Sequence, residues 1–225
     1  METFLVLFVS KVFLVYICSM IEELKTILGK VGTLYRKYGI RSVTMDDIAH
    51  ELGISKKTLY QYIRDKDDLV NQVVDMEIQE RKSRMEISCA DICNAIEQLF
   101  EIGRCISYML KDYSPVSEYD LRKYYPDLYI KVRDLRRNHI MQFIQSNLIK
   151  GKEEGIYRED LNVDIISRLS VANIDSMIDS EVISITEFIE PRFYHEYFVY
   201  HIRGISNDKG LEVLERVLRT YAIGA

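Results

Sequence analysis

Apolar positions recur every three or four residues along most of the chain, and no stretch alternates with the period of two that a half-buried strand requires. The pattern therefore predicts helices throughout. Over 21–38, Leu24, Ile27, Leu28, Val31, Leu34 and Tyr35 form one apolar stripe, and Gly39 ends it. Thr44, followed by Asp46 and Asp47, opens a short helix whose apolar Ile48, Ala49 and Leu52 share a face, and Gly53 stops it. Ser55 then caps a second short helix in which Leu59 and Ile63, four apart, point back toward the first. Lys56, Lys57, Tyr60, Gln61 and Arg64 are left facing outward. Two short helices about a glycine turn, with the preceding helix to cover their apolar backs, make a helix-turn-helix with a basic exposed face.

Asp65 is placed to cap a longer helix over 66–88, whose apolar residues Leu69, Val73, Val74, Met76 and Ile78 thin out toward a charged run at 80–84. This reads as a connecting helix, packed at its start and exposed later, with the domain boundary falling along it at 70–85. The body beyond it predicts a helix over 92–111, a break at Ser114 and Pro115, and a short helix over 118–124. Pro126 suits the first residue of the next helix, which carries Leu128, Ile130, Val132, Leu135, Ile140, Phe143, Ile144 and Leu148. Gly151 to Gly155, together with 157–160, are expected to form a turn. Asn162 or Asp164 opens a helix with Ile165, Leu169, Ala172 and Ser176 on one side. Another begins at Thr186 and becomes regular from Pro191 to 204, and a last one spans 208–221.

Net charge changes this picture less than it first suggests. The whole chain stands at −5, which speaks against nucleic acid. Residues 21–82, however, hold eleven basic and eleven acidic side chains, whereas the deficit lies in 83–225 with eighteen and twenty-three. Inside the neutral part, 55–64 carries three basic residues and no acid. A local basic face on an acidic body suits a protein that docks one end on phosphates. A solvated helix face is the plain alternative for those lysines taken singly.

Candidate chemistry narrows the function by exclusion. No Gly-rich phosphate loop, nucleophile elbow or His/Cys/acid cluster at ligand spacing occurs, so no enzyme, metal or cofactor is expected, and His50, His139, His195 and His201 are dispersed. Cys18, Cys89, Cys93 and Cys105 read as buried reduced thiols, because only Cys89 and Cys93 are near in sequence and no second pair accompanies them. That suits a cytoplasmic protein. Residues 1–20 are strongly apolar but interrupted by Lys11, with Glu2 ahead of the run and bulky residues at its end. Signal peptide and spanning helix both fit poorly. A start assigned upstream of a natural one at Met20 is the favoured reading, and an amphipathic or membrane-attached extension is the other.

Taken in order, Thr44…Asp47-Ile48-Ala49…Leu52-Gly53-Ile54-Ser55-Lys56-Lys57-Thr58-Leu59-Tyr60-Gln61-Tyr62-Ile63…Lys66-Asp67-Asp68-Leu69 resembles the N-terminal domain of TetR-type (TetR/AcrR) transcriptional regulators. The pattern covers about the first third of the chain. Ile63 stands where the family often has Phe, and Lys57 where many members have a small residue. The resemblance implies an all-α fold: a DNA-binding domain over 21–70, after the extension at 1–20, and a helical ligand-binding and dimerisation domain over 71–225. It implies a homodimeric DNA-binding regulator, a repressor, on a palindromic double-stranded operator, answering to a small-molecule effector. No membrane partner is expected unless residues 1–20 are retained.

Lys56, Lys57 and Tyr60 are the candidates for base edges, since Lys donates to guanine acceptors and an aromatic ring packs on a thymine methyl. Thr44, Thr58, Tyr62 and Lys66 match the family's phosphate-contact positions. By resemblance the dimer interface falls on the helices over 162–182 and 187–204, giving Ile165, Leu169, Phe193 and Tyr197 as candidates among aromatics that include Phe188, Tyr194, Phe198 and Tyr200. Core packing is the competing reading. Tyr108, Met109, Tyr113, Tyr125 and Tyr129, gathered with Tyr119 and Tyr124 about the Pro115 break, are the candidates for a ligand cavity. The second hypothesis for the whole chain is a helical interaction or membrane-tethered adaptor that keeps the motif without reading DNA.

Overall fold

The computed structural model describes residues 2–89, 92–110, 113–178, 182–184, 187 and 190–222, with side chains of the first helix from Met20 onward. Among the described residues the structure is helical, and its only extended pairing is an isolated antiparallel bridge between Tyr157 and Ser206. The helices are α1 (Glu2–Tyr38), α2 (Met45–Leu52), α3 (Lys56–Leu59), α4 (Lys66–Cys89), α5 (Ala95–Leu110) and α6 (Pro115–Tyr124), then α7 (Pro126–Glu153), α8 (Val163–Ile178), α9 (Pro191–Ile205) and α10 (Asp208–Ala222). Two compact units form: Met1–Glu80 with Ser114–Ile130, and Arg81–Tyr113 with Lys131–Ala225.

The first unit buries one face of each of its helices. Ile27, Leu28, Val31 and Tyr35 of α1 are buried, as are Ile48 and Ala49 of α2, Leu59, Ile63, and Leu69, Val70 and Val73 of α4. These are the apolar backs that the spacing predicts, brought together as a three-helix head on the start of α4. The unit also takes in α6, which the sequence pattern places with the C-terminal body. Ser114 caps α6 by accepting the Ser117 N–H at 3.2 Å, and Pro115 is its first residue, so the expected break is a helix start and the helix begins three residues before 118. The same two serines serve α1. The Ser114 hydroxyl donates to the Arg36 carbonyl at 2.8 Å and Ser117 to that of Tyr35 at 2.5 Å, so carbonyls that the end of a helix leaves open find donors on α6. Asp120, 7% exposed, accepts the Arg41 backbone N–H at 2.8 Å.

The second unit centres on Ala95, Ile96, Leu99 and Phe100 of α5, Ile144 and Leu148 of α7, Phe198 and Ile202 of α9, and Leu214 and Val217 of α10. Tyr157, expected in a turn, is fully buried among them. Its hydroxyl donates to Asn147 Oδ1 at 3.0 Å, and Asn147 Nδ2 donates to the Ala95 carbonyl at 2.8 Å and to Gln98 Oε1 at 3.1 Å. Burial pushes the Tyr157 phenol well above its ordinary pKa. The glycine-rich stretch differs from its expected turn as well: α7 continues to Glu153, because Gly151 is where the Tyr157 ring lies against the helix and any Cβ would overlap the ring.

Other starts follow the sequence. Asn94 caps α5 through the Glu97 N–H at 2.9 Å, and Asn162 rather than Asp164 caps α8 through the Ile165 N–H at 3.0 Å. Ser184 and Glu187 bond reciprocally, while Thr186, expected to begin a helix, lies outside the described residues. The thiols depart from expectation: Cys93 is exposed and Cys105 half-buried, while the side chains of Cys18 and Cys89 lie outside the described residues. Among the described residues no helix is long and apolar enough to cross a membrane, and no group of three His, Cys, Asp or Glu is arranged to hold a metal ion.

Candidate nucleic-acid interface

Local hydrogen bonding fixes the exposed turn from both sides. Thr44 and Asp47 close a capping box, in which the Thr44 hydroxyl accepts the Asp47 N–H at 3.2 Å and Asp47 Oδ2 accepts the Thr44 N–H at 2.9 Å. The Thr44 hydroxyl, donating to Asp47 Oδ2 at 2.7 Å, and then the Thr44 N–H hold the Asp47 carboxyl below the usual carboxylate range. Gly53 stands at φ 67°, a left-handed conformation that only glycine adopts without cost, and the N–H groups of Gly53 and Ile54 return to the His50 and Ala49 carbonyls at 3.0 Å. The chain then reverses into Ser55, whose hydroxyl accepts the Thr58 N–H at 3.0 Å.

The helix α3 so opened is a single turn. Beyond Leu59 the ladder tightens, with Gln61 and Tyr62 donating to Thr58 and Leu59 at 3.1 Å, before Ile63 returns to the Leu59 carbonyl at 3.2 Å. Leu59 and Ile63 stay on the buried side, as their spacing requires. Lys56, Lys57, Gln61 and Arg64 are exposed, and Tyr60 is 46% exposed. Thr44 is exposed, and Thr58, Tyr62 and Lys66 are half-buried.

Charge pairing is the property that sequence reasoning missed. Lys56 Nζ lies 2.8 Å from the Asp46 carboxylate, whose hydrogen bond raises the lysine's pKa. Arg64 Nη2 lies 3.2 Å from Asp68, and its backbone N–H donates to the same carboxylate at 2.9 Å, which holds Asp68 low. Lys57 alone of the three basic residues over 55–64 has no carboxylate partner among the described residues. The i,i+4 spacing from Arg64 to Asp68 is readable in a sequence, whereas the ten-residue separation of Asp46 and Lys56 becomes a contact only through the turn at Gly53. Lys66 donates to the Arg41 carbonyl at 3.1 Å, and burial, then the Arg41 charge, lower its pKa. Asp65 caps α4 as its position predicts, accepting the Asp68 N–H at 2.8 Å.

Residues 32–73 match the family model of bacterial regulatory proteins of the tetR family. The head is that of a TetR-type regulator. An uncharacterized HTH-type transcriptional regulator of Bacillus subtilis, YvaF, is 27% identical over 158 residues, which are 70% of this chain and 82% of that one. A transcriptional regulator of Cytophaga hutchinsonii superposes with a TM-score of 0.67 at 16% identity, covering 82% of this chain and 99% of the other. FadR of Bacillus subtilis, solved with stearoyl-CoA, gives 0.62 at 18% identity over 80% of this chain and 97% of its own. At these identities the two structures share the fold: a helix-turn-helix head on a helical C-terminal domain.

The remaining candidate residues of this chain with a TetR-type head are dispersed. Tyr125 and Tyr129 belong to the first unit, while Tyr108, Met109 and Tyr113 belong to the second, where Tyr108 is 61% exposed and the Met109 side chain lies outside the described residues. Burial, with Asp67 beside it, pushes the Tyr125 phenol up to about 12. None of the five lines the cleft of about 490 Å³ in the second unit, whose walls include Ile92, Cys93, Glu97, Val213, Arg216 and Val217. On α8, Ile165 and Leu169 are 48% and 54% exposed. On α9, Phe193 and Tyr197 are half-buried and Phe198 is buried; the Tyr194 side chain and all of Phe188 lie outside the described residues.

Proposed function

We propose that the chain is a homodimeric repressor of transcription that reads a palindromic operator and releases it on binding a small molecule. The observation that carries this reading is the exposed turn from Lys56 to Tyr60, capped at both ends and backed by buried Leu59 and Ile63. A backbone held this firmly presents side chains to a groove at little entropic cost. Lys56, Lys57 and Tyr60 take the base edges, and Thr44, Thr58, Tyr62 and Lys66 the phosphates, which position the head without reading sequence. Ile165 and Leu169, four apart and both more exposed than isolated apolar residues of a helix back need to be, join Phe193 and Tyr197 in the contact between two copies. Tyr108 and Tyr113 are the aromatic side chains of the second unit retained for the effector. FadR of Bacillus subtilis in complex with stearoyl-CoA gives a precedent for a bound small molecule on this fold.

Selection of the purified protein on a random duplex library tests the reading. The expected product is an inverted repeat whose half-sites lie one helical turn apart, roughly 34–36 Å, or a multiple of it. A single asymmetric half-site, or no enrichment, overturns it.

The Asp46 pair makes a second expectation. Lys56 has to leave its carboxylate before it reaches a base, so Asp46→Asn raises affinity for the selected duplex by about threefold in low salt, the size of an exposed pair, and the gain fades as salt screens the wild-type pair. Fluorescence anisotropy titrations at two salt concentrations measure it.

A further inference from the structure

Three cations of the first unit lie apart from the turn at α3. Lys66 donates to the Arg41 carbonyl at 3.1 Å, the Arg41 guanidinium lies over the Tyr124 ring at 5.1 Å, and Lys123 Nζ lies 5.2 Å from the ring centres of both Tyr124 and Tyr119. Lys123 also donates to the Tyr119 hydroxyl at 3.0 Å. These contacts form one continuous tract from the start of α4, through the turn between α1 and α2, onto the exposed face of α6.

The tract differs from the ion-paired basic residues of its unit, and shares its way of holding a cation with Lys37, which lies 4.8 Å from the Tyr38 ring centre. Arg36, Lys56 and Arg64 are each paired with a carboxylate, whereas Arg41 and Lys123 have none among the described residues and are held on aromatic rings instead. A ring fixes a cation without neutralising it. A guanidinium over a ring keeps N–H groups for another acceptor, and an ammonium with three hydrogens keeps at least one after bonding the phenols of Tyr119 and Tyr124. Arg41 and Lys66 lie close together, and burial, then the Arg41 charge, lower the Lys66 pKa against the opposing pull of Asp120, Asp67 and Asp47. Asp120 is buried and accepts the Arg41 backbone N–H.

We propose that this tract is a second DNA surface, on which Arg41 and Lys123 bind phosphates of the duplex flanking the operator core. The proposal rests on the reading of the chain as a DNA-binding protein, and Lys66 is where the two surfaces join. Because α6 packs on α1 while α3 packs on α2, the phosphates reached from α6 lie outside those contacted around the reading turn. The contact carries no base information; it adds affinity and salt dependence.

The test compares two duplexes made from the selected site, a core of about 20 base pairs and the same core extended by about 8 on each side, over 50 to 300 mM KCl. Each phosphate neutralised adds about 0.9 to the slope of log affinity against log salt per protomer. The wild-type slope is steeper on the extended duplex. The Arg41→Gln and Lys123→Gln double variant lowers the extended-duplex slope by about 2 per protomer and leaves the core slope unchanged, and Lys123→Gln alone lowers it by about 1. Lys123→Gln also guards against a folding defect, since its side chain is wholly at the surface; helicity and melting point are checked for both variants. Equal wild-type slopes on the two duplexes overturn the proposal, as does a variant slope that matches wild type on the extended one. Loss of binding to vesicles with 30% anionic lipid, without any effect of flanking DNA, assigns the tract to a membrane and equally overturns it. Absence of wild-type binding to the core is a separate outcome that refutes the DNA reading itself.

Discussion

Replacing Lys57 and Tyr60 together by alanine lowers affinity for the selected operator at least about a hundredfold, with helicity and melting temperature unchanged. Two base contacts at roughly 1–3 kcal/mol each account for that loss. Lys57 matters more than Lys56 because no carboxylate holds it, so its ammonium reaches a guanine without first breaking an ion pair. The Tyr60 ring supplies an apolar edge for a thymine methyl from the next exposed position of the same turn. Folding survives because the contacts that fix the turn belong to others: the Gly53 reversal, the Ser55 cap and the buried Leu59 and Ile63. Competition against bulk DNA separates this effect from a general loss of charge. The double variant falls toward non-specific affinity, whereas Lys66→Ala weakens specific and non-specific binding alike. Unchanged operator affinity in the double variant removes α3 from the reading role.

Gly151→Ala unfolds or loosens the second unit at a cost of about 3–5 kcal/mol, the range of severe overpacking in a core. The added methyl meets the Tyr157 ring, which cannot retreat. Its hydroxyl is tied to Asn147, its N–H donates to the Gly151 carbonyl at 3.0 Å, and its own carbonyl accepts from Asn207 Nδ2 at 3.1 Å. Relief therefore requires moving α7 or the turn before α10. Thermal melting reads the cost as a fall of about 10 °C. Tyr157→Phe gives the smaller companion effect, about 1–2 kcal/mol, since it leaves the buried Asn147 oxygen without its donor. A Gly151→Ala melting point within about 2 °C of wild type shows that the ring repacks freely and refutes the argument.

These two sites also mark what a sequence conveys. The helix-turn-helix is legible because every instruction is local: a capping threonine and aspartate three apart, a glycine in a left-handed turn, a serine cap, and apolar residues at spacings of three and four. Asp65 and Asn162 are legible for the same reason. Tyr157 is not. A tyrosine after Gly155 in a charged stretch reads as part of a turn, and its burial is decided by Asn147, Ala95 and Asn207, whose contacts arise only on assembly. The placement of α6 is hidden likewise, since the Ser114 and Ser117 hydroxyls look like ordinary capping groups and their acceptors on α1 are 78 and 82 residues away. At the candidate interface, the chemistry of the exposed residues was readable and their state of pairing was not.

The attachment of α6 to α1 governs the order in which the molecule can be made. The head emerges first from the ribosome, but residues 81–113, which belong to the other unit, must be synthesised before Ser114, Ser117 and Asp120 exist to bond Arg36, Tyr35 and Arg41. Completion of the DNA-binding unit thus waits on contacts of high sequence separation, the slow kind, late in translation. A chain cut short at residue 100 does not become a finished head freed from the second unit. It becomes an unfinished head.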